Sequence, residues 1–176
     1  MSDIKVKSRL IAAAVGTALA LGLVAAASAA TATSNLSVTA TVSANCAIST
    51  SAVAFGAYDP VVANASADLD ATGTVSVTCT SGAAADISLG QGANADTGST
   101  DAAPLRRMTN GAAGFLSYAL YADAGRTTVW GNTVATDVGH TGTGTQANLT
   151  VYGRVPGGQN AAIGNYADTV VATVTF

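Results

Sequence analysis

Beyond residue 30, apolar and polar residues alternate along most of this chain. In its last stretch Val170, Ala172, Val174 and Phe176 share one side, and Thr169, Thr173 and Thr175 share the other. A period of two predicts a half-buried strand, and β-branched and aromatic side chains suit a pleated surface. The same period runs through Leu36, Val38, Ala40 and Val42, set between Ser37, Thr39 and Thr41. It returns at Val75, Val77 and Cys79, at Ala85, Ile87 and Leu89, across Phe115 to Tyr121, and from Ala147 to Val155. Shorter strands are predicted at Cys46–Ile48, continuing through Val53 and Phe55, at Leu105–Met108 before an Asn110-Gly111 turn, and at Val129–Trp130. Residues 91–103 and 136–145 are Gly-, Thr- and Asp-rich and read as polar loops. Many short strands separated by turn residues predict an all-β sandwich or barrel. No linker divides the body into two domains.

Two of these strands pose a pairing problem. The terminal one has a full apolar face and nothing after it to pair with its far edge. An unpaired edge beside an open core is a template for another strand. The strand over residues 33–42 precedes the body and has no evident partner within it. The chain is expected to carry both a vacancy and a segment able to fill one.

Composition sharpens this picture. Apolar residues make up 49% of the 176, yet only 5% are aromatic, so the core must be built from small and β-branched side chains. All ten acids are Asp, and both lysines, Lys5 and Lys7, lie at the N-terminus. Strong helix formers are scarce, which again favours strands. Lys5, Lys7 and Arg9, an apolar run from Leu10 to Ala27 and then Ala27-Ser28-Ala29 read as a signal peptide over residues 1–29. The exported chain keeps four arginines against nine aspartates, a formal charge of −5, which does not suit nucleic acid. An exported chain with two cysteines predicts a Cys46–Cys79 disulfide. Closing that loop stabilises the fold by about 3–4 kcal/mol in the chain-entropy account.

Enzyme chemistry finds little support. His140 is the lone histidine, in a Gly/Thr stretch, and no G-x-S-x-G accompanies it. It reads as a solvated loop residue. Asp68-Leu69-Asp70 opens like a calcium loop, but the twelfth position is Cys79 instead of Glu. Residues 139–144 lack the P-loop lysine. Arg106-Arg107 reads as a solvated strand edge. No cofactor, metal or catalytic residue is expected.

The motifs along the body resemble the spore coat protein U-like family, which includes the major pilins of archaic chaperone–usher pili. Asn45-Cys46-Ala47-Ile48 is similar to the family's first-cysteine segment, and Phe55-Gly56 to its F-G. Gly73 to Cys79 resembles the second-cysteine strand, and Tyr118 to Thr127 the Y-x-x-Y-x-D-x-x-R-T segment. Gly164-Asn165-Tyr166-Ala167-Asp168 is similar to the terminal G-x-Y-x-D pattern. The resemblance implies an incomplete immunoglobulin-like β-sandwich over residues 45–176, lacking its last strand, with residues 30–44 as a donor-strand extension. It implies completion by donor-strand complementation, first from a periplasmic chaperone and then, at an outer-membrane usher, from the next subunit. Leu36, Val38, Ala40 and Val42 would then be the donor residues. Tyr166, Val170, Ala172, Val174 and Phe176 would line the acceptor groove. The implied product is a head-to-tail pilus at the cell surface, supporting adhesion and biofilm formation. The alternatives are a secreted spore or envelope coat protein and a monomeric β-sandwich binding module.

Overall fold

The computed structural model describes residues 28–176. Most of the predicted signal peptide lies outside the described residues. The body, Thr41–Phe176, forms a compact unit. Among the described residues there is no helix, and eight strands account for the regular structure.

These are β1 (Cys46–Ser51), β2 (Leu69–Cys79), β3 (Ala84–Leu89), β4 (Arg106–Thr109), β5 (Phe115–Tyr121), β6 (Val138–Thr141), β7 (Gln146–Val155) and β8 (Ala172–Thr175). They form two antiparallel sheets, one of five strands in the order β1-β2-β7-β5-β4 and one of three in the order β6-β3-β8. Val75, Val77, Leu120, Val151 and Val155 from the first sheet meet Ile87 and Leu89 from the second in a single core. Trp130 completes it and donates its indole N–H to the Ile87 carbonyl at 2.8 Å. Val129 makes only an isolated bridge to Tyr121, in place of the predicted short strand.

The body has two distinguishable ends. At one, the Cys46–Cys79 disulfide joins β1 to β2 at the register where these residues face each other. The turns following Cys79 and Thr141 pack there, with the Gly144 N–H donating to the Cys79 carbonyl at 3.0 Å. At the other end, β2 begins at Leu69 opposite Val155, and the loops over residues 58–68 and 156–164 meet.

Several strands depart from the pattern, each for a physical reason. β1 stops at Ser51, and Val53 and Phe55 leave its ladder although both still face inward. They lie across two glycines of the facing strands. A Cβ on Gly73 would stand 2.7 Å from the Val53 side chain and 2.9 Å from the Ser51 carbonyl, and one on Gly153 would stand 2.8 Å from the Phe55 ring. β2 begins earlier than its apolar pattern suggests, because Asp70 and Arg154 face each other across the β2–β7 ladder. The stretch over 136–145, expected as a loop, contains β6. There the Ala85↔His140 register puts His140 in a ladder, half-buried with its Nε2 enclosed, and not in a solvated loop. Arg106 is the largest correction. It is 1% exposed, and its guanidinium donates to the carbonyls of Gly90, Leu89 and Trp130 at 2.8–2.9 Å. Alternation next to a second arginine concealed a cation that ties both sheets together.

Candidate functional site

The terminal strand is half paired. β8 bonds to β3 along one edge, with Val174 opposite Ile87 and Ala172 opposite Leu89. Its other edge has no ladder partner among the described residues. β1 is likewise bonded only to β2. These two free edges face each other across the gap between the sheets. They close together at the disulfide end, where Val174 packs on the cluster of Cys79, Ala83 and Ala85. They part toward the other end.

Where they part, a cleft of about 330 Å³ opens onto the core. Thr50 to Val53 and Phe55 form one wall, and Tyr166 to Asp168, Val170 and Ala172 form the other. Val75, Leu89, Leu120 and Val151 lie at its floor. A second cleft of about 690 Å³ continues toward Pro60 and Ile163. Val53, Phe55, Met108 and Tyr166 border both, so the two are successive stretches of one groove. Most of the residues that line it are apolar, while polar atoms supply about half of the exposed lining.

The expected groove residues are mostly brought together. Tyr166, Val170, Ala172 and Val174 are half-buried and pack on the core. Phe176 does not join them. It is 54% exposed, beyond the last β8 pair at Thr175. Leu36, Val38, Ala40 and Val42 are all exposed, in a segment with no ladder of its own. Alternation there predicts a strand, but a strand needs a neighbour for its N–H and C=O groups.

The groove wall is held by polar groups that the pattern does not single out as functional. Asp168 accepts the Tyr118 hydroxyl at 2.7 Å, and the Asn94 backbone and side-chain N–H groups at 3.2 and 2.9 Å. The Ala167 and Thr109 N–H groups donate to each other's carbonyls at 2.9 Å. Burial and the Asp168 carboxylate push the Tyr118 phenol well above its usual range, so it stays a neutral donor. Burial pulls the Arg106 guanidinium down to about 10, with Tyr118 and Asp168 acting in the opposite direction. Tyr166 donates its hydroxyl to the Ala162 carbonyl at 2.9 Å and rests where a Cβ on Gly114 would sit. The terminal G-x-Y-x-D motif is therefore a brace that fixes the groove's rim. The other motif has a similar explanation. Asp123 accepts the N–H groups of Thr127 and Thr128, and Arg126 reaches the Gly153 carbonyl and Asp70. Sequence reasoning also missed Met108 and Phe55 as groove walls, because a groove between two sheets is not periodic in either strand.

Among the described residues no group of three or more His, Cys, Asp or Glu is placed to hold a metal ion. The surface charges pair locally, as in the Arg154–Asp70–Arg126 cluster.

The fold, an all-β sandwich with two facing free edges and a groove between them, is similar to that of a chaperone–usher pilus subunit. The chain belongs to the Spore Coat Protein U domain family, whose pattern spans residues 32–173. Protein U of Myxococcus xanthus is 50% identical over 138 residues, covering 74% of this chain and 77% of that protein. Among solved structures, the chain is similar to the CsuC–CsuE chaperone–tip adhesion subunit pre-assembly complex from archaic chaperone–usher Csu pili of Acinetobacter baumannii. The TM-score is 0.56 at 21% identity over 77% of this chain. The match spans 40% of the chain in that structure.

Proposed function

We propose that this chain is a structural subunit of a cell-surface pilus, assembled by a chaperone–usher pathway through donor-strand exchange. The observation that carries this reading is the groove between β1 and β8, open along two free edges, in a chain that also bears an alternating, exposed segment at residues 36–42. A strand laid between those edges would satisfy backbone groups on both sides and fill the pockets with alternate side chains. Leu36, Val38 and Val42 are the large candidates and Ala40 the small one. At roughly 1.5–3 kcal/mol for each large side chain, burying three contributes on the order of 5–9 kcal/mol before any backbone bond.

In this reading residues 1–29 direct export and residues 30–44 are the donor extension. Residues 45–176 are the pilin domain. A periplasmic chaperone fills the groove in transit, and at an outer-membrane usher the next subunit replaces it. A strand given to a neighbour makes a heterologous contact, which propagates without closing. Adhesion and biofilm formation are the roles such a fibre would support. No step calls for a cofactor or a catalytic group.

The match to the Spore Coat Protein U domain family favours a second reading, in which the same exchange builds a surface coat. Negative-stain microscopy of sheared surface material, with immunogold labelling of this chain, separates the two. Labelled thin fibres support the pilus. Label on sheets or amorphous shell supports the coat. A labelled protein found only as free monomer in the medium removes both.

A further inference from the structure

The loop before β2 holds two adjacent valines in water. Val61 is 80% exposed and Val62 77%, and Ile163, which borders the second cleft together with Pro60, is fully exposed. The loop is firmly built. The Asp59 carboxylate accepts the N–H groups of Val61 and Val62 at 2.9 and 3.1 Å. Asn64 is buried, accepts the Asp59 N–H on its side-chain oxygen, and donates its amide to the Ala67 carbonyl. Its own carbonyl receives the Gly158 N–H at 2.8 Å. A braced loop that holds two adjacent apolar side chains in water offers a contact surface.

We propose that Val61, Val62 and Ile163 seat against the disulfide end of the next copy of this chain in the polymer. The proposal rests on the donor-strand reading and follows from strand direction. β8 runs toward the disulfide end, where Val174 meets the cysteine cluster. β1 starts at that end and runs away from it, so a strand laid between β1 and β8 is antiparallel to one and parallel to the other, and the exit point decides its direction. A strand added antiparallel to β8 enters at the disulfide end and leaves beside Ile163 and Pro60. The reverse direction would bring it out where the acceptor's own extension departs, crowding two chains into one place.

The donor's body cannot then stand far away. Only Ser43, Ala44 and Asn45 separate Val42 from β1, a reach of about 10 Å. Asn45 is already fastened, since its N–H donates to the Thr80 hydroxyl and its carbonyl accepts the Thr80 N–H. The surface brought opposite the valines is therefore Ala44, Ser81, Gly82, Thr143 and Gly144, all exposed. Residues 43–47, 79–85 and 141–147 contain no charged side chain. A small, uncharged floor admits apolar knobs without stranding a charge.

The test is cross-linking in the full-length polymer. A chain carrying V62C and S81C is oxidised mildly and then boiled in SDS to separate exchanged strands. Expected is a reducible ladder at least ten-fold stronger than from a T72C/S81C control, since Thr72 lies on the outer sheet face. A boiled ladder no stronger than the control, with the unboiled SDS-resistant ladder intact, overturns the end-to-end contact and leaves donor-strand exchange standing. Loss of the unboiled ladder in the unmodified protein overturns both. Should the cysteine variants fail to accumulate, V61S/V62S decides. Expected are normal assembly and dissociation in denaturant at least several-fold faster than the parent, while an unchanged rate rejects the proposal.

Discussion

At the residue scale, charge is rare here and each buried charge has a defined role. Arg106 is enclosed and bonded to three carbonyls from two segments, with its Nη1 left without a partner. Replacing it by Met removes the desolvation cost but strands those carbonyls. Each unsatisfied buried acceptor costs about 1–3 kcal/mol, so R106M should lower the urea midpoint of the purified protein by an amount worth roughly 3 kcal/mol or more. The exposed carboxylates set the response to acid. Backbone N–H groups of Val61 and Val62 hold Asp59 below its ordinary range. The Arg154 side chain does the same for Asp70, and the Thr128 N–H for Asp123. A depressed carboxylate binds fewer protons folded than unfolded, so its contribution is present above the unfolded pKa of about 3.9 and lost as pH falls through the folded value. The melting temperature should be flat from pH 5 to 8 and fall below about pH 4. A decline beginning above pH 5 would mean that other groups dominate. None of these partners was legible in the sequence: Arg106 and Arg107 look alike there, yet one is buried and the other rests over Phe115 and pairs with Asp96.

At the element scale, the ladders and the vacancy beside the terminal strand were legible, and the course of the groove's walls was not. Alternation located β2, β3, β5 and β7 because one face of each meets the core. It mispredicted where packing breaks the period: at Ser51, where the wall crosses Gly73 and Gly153, and in 136–145, where β6 carries only two inward residues. It also extended β8 too far at both ends. Two substitutions test this account. V174D places an unpaired carboxylate among Ile87, Cys79 and Ala85 and should abolish accumulation of the protein. F176D, at an exposed position, should leave accumulation within about two-fold, because surface changes usually stay within ±0.5 kcal/mol. Immunoblots of cell extracts read both, and equal loss in the two variants would place Phe176 in the core after all. G73A probes the wall itself. Its methyl would meet backbone at 2.9–3.0 Å, so residues 51–53 must shift, and strand exchange should slow even where the protein still accumulates.

At the scale of the whole molecule, the body and the extension answer each other, and only function joins them. The sequence shows an alternating segment ahead of the first cysteine, and the fold shows a groove lined mostly by apolar residues with a free edge on each side. Neither alone identifies a polymer, since an exposed strand and an open groove are each compatible with a monomer that binds something else. Deleting residues 30–40 separates these cases. Among the described residues no strand of either sheet includes residues 30–40, so their removal should leave the disulfide and both sheets intact. A donor supplied in trans should then rescue the truncated body. Mixed with a synthetic peptide spanning residues 31–44, it should gain thermal stability as RT ln(1 + [L]/Kd), about 2.7 kcal/mol at a hundred-fold excess over Kd. An L36D/V38D peptide keeps the backbone groups but carries charge into the pockets, and should give no measurable shift. If the two peptides stabilise the body equally, the affinity lies in the backbone alone and the alternating side chains are not read. If neither does, the groove takes some other ligand and the polymer reading fails.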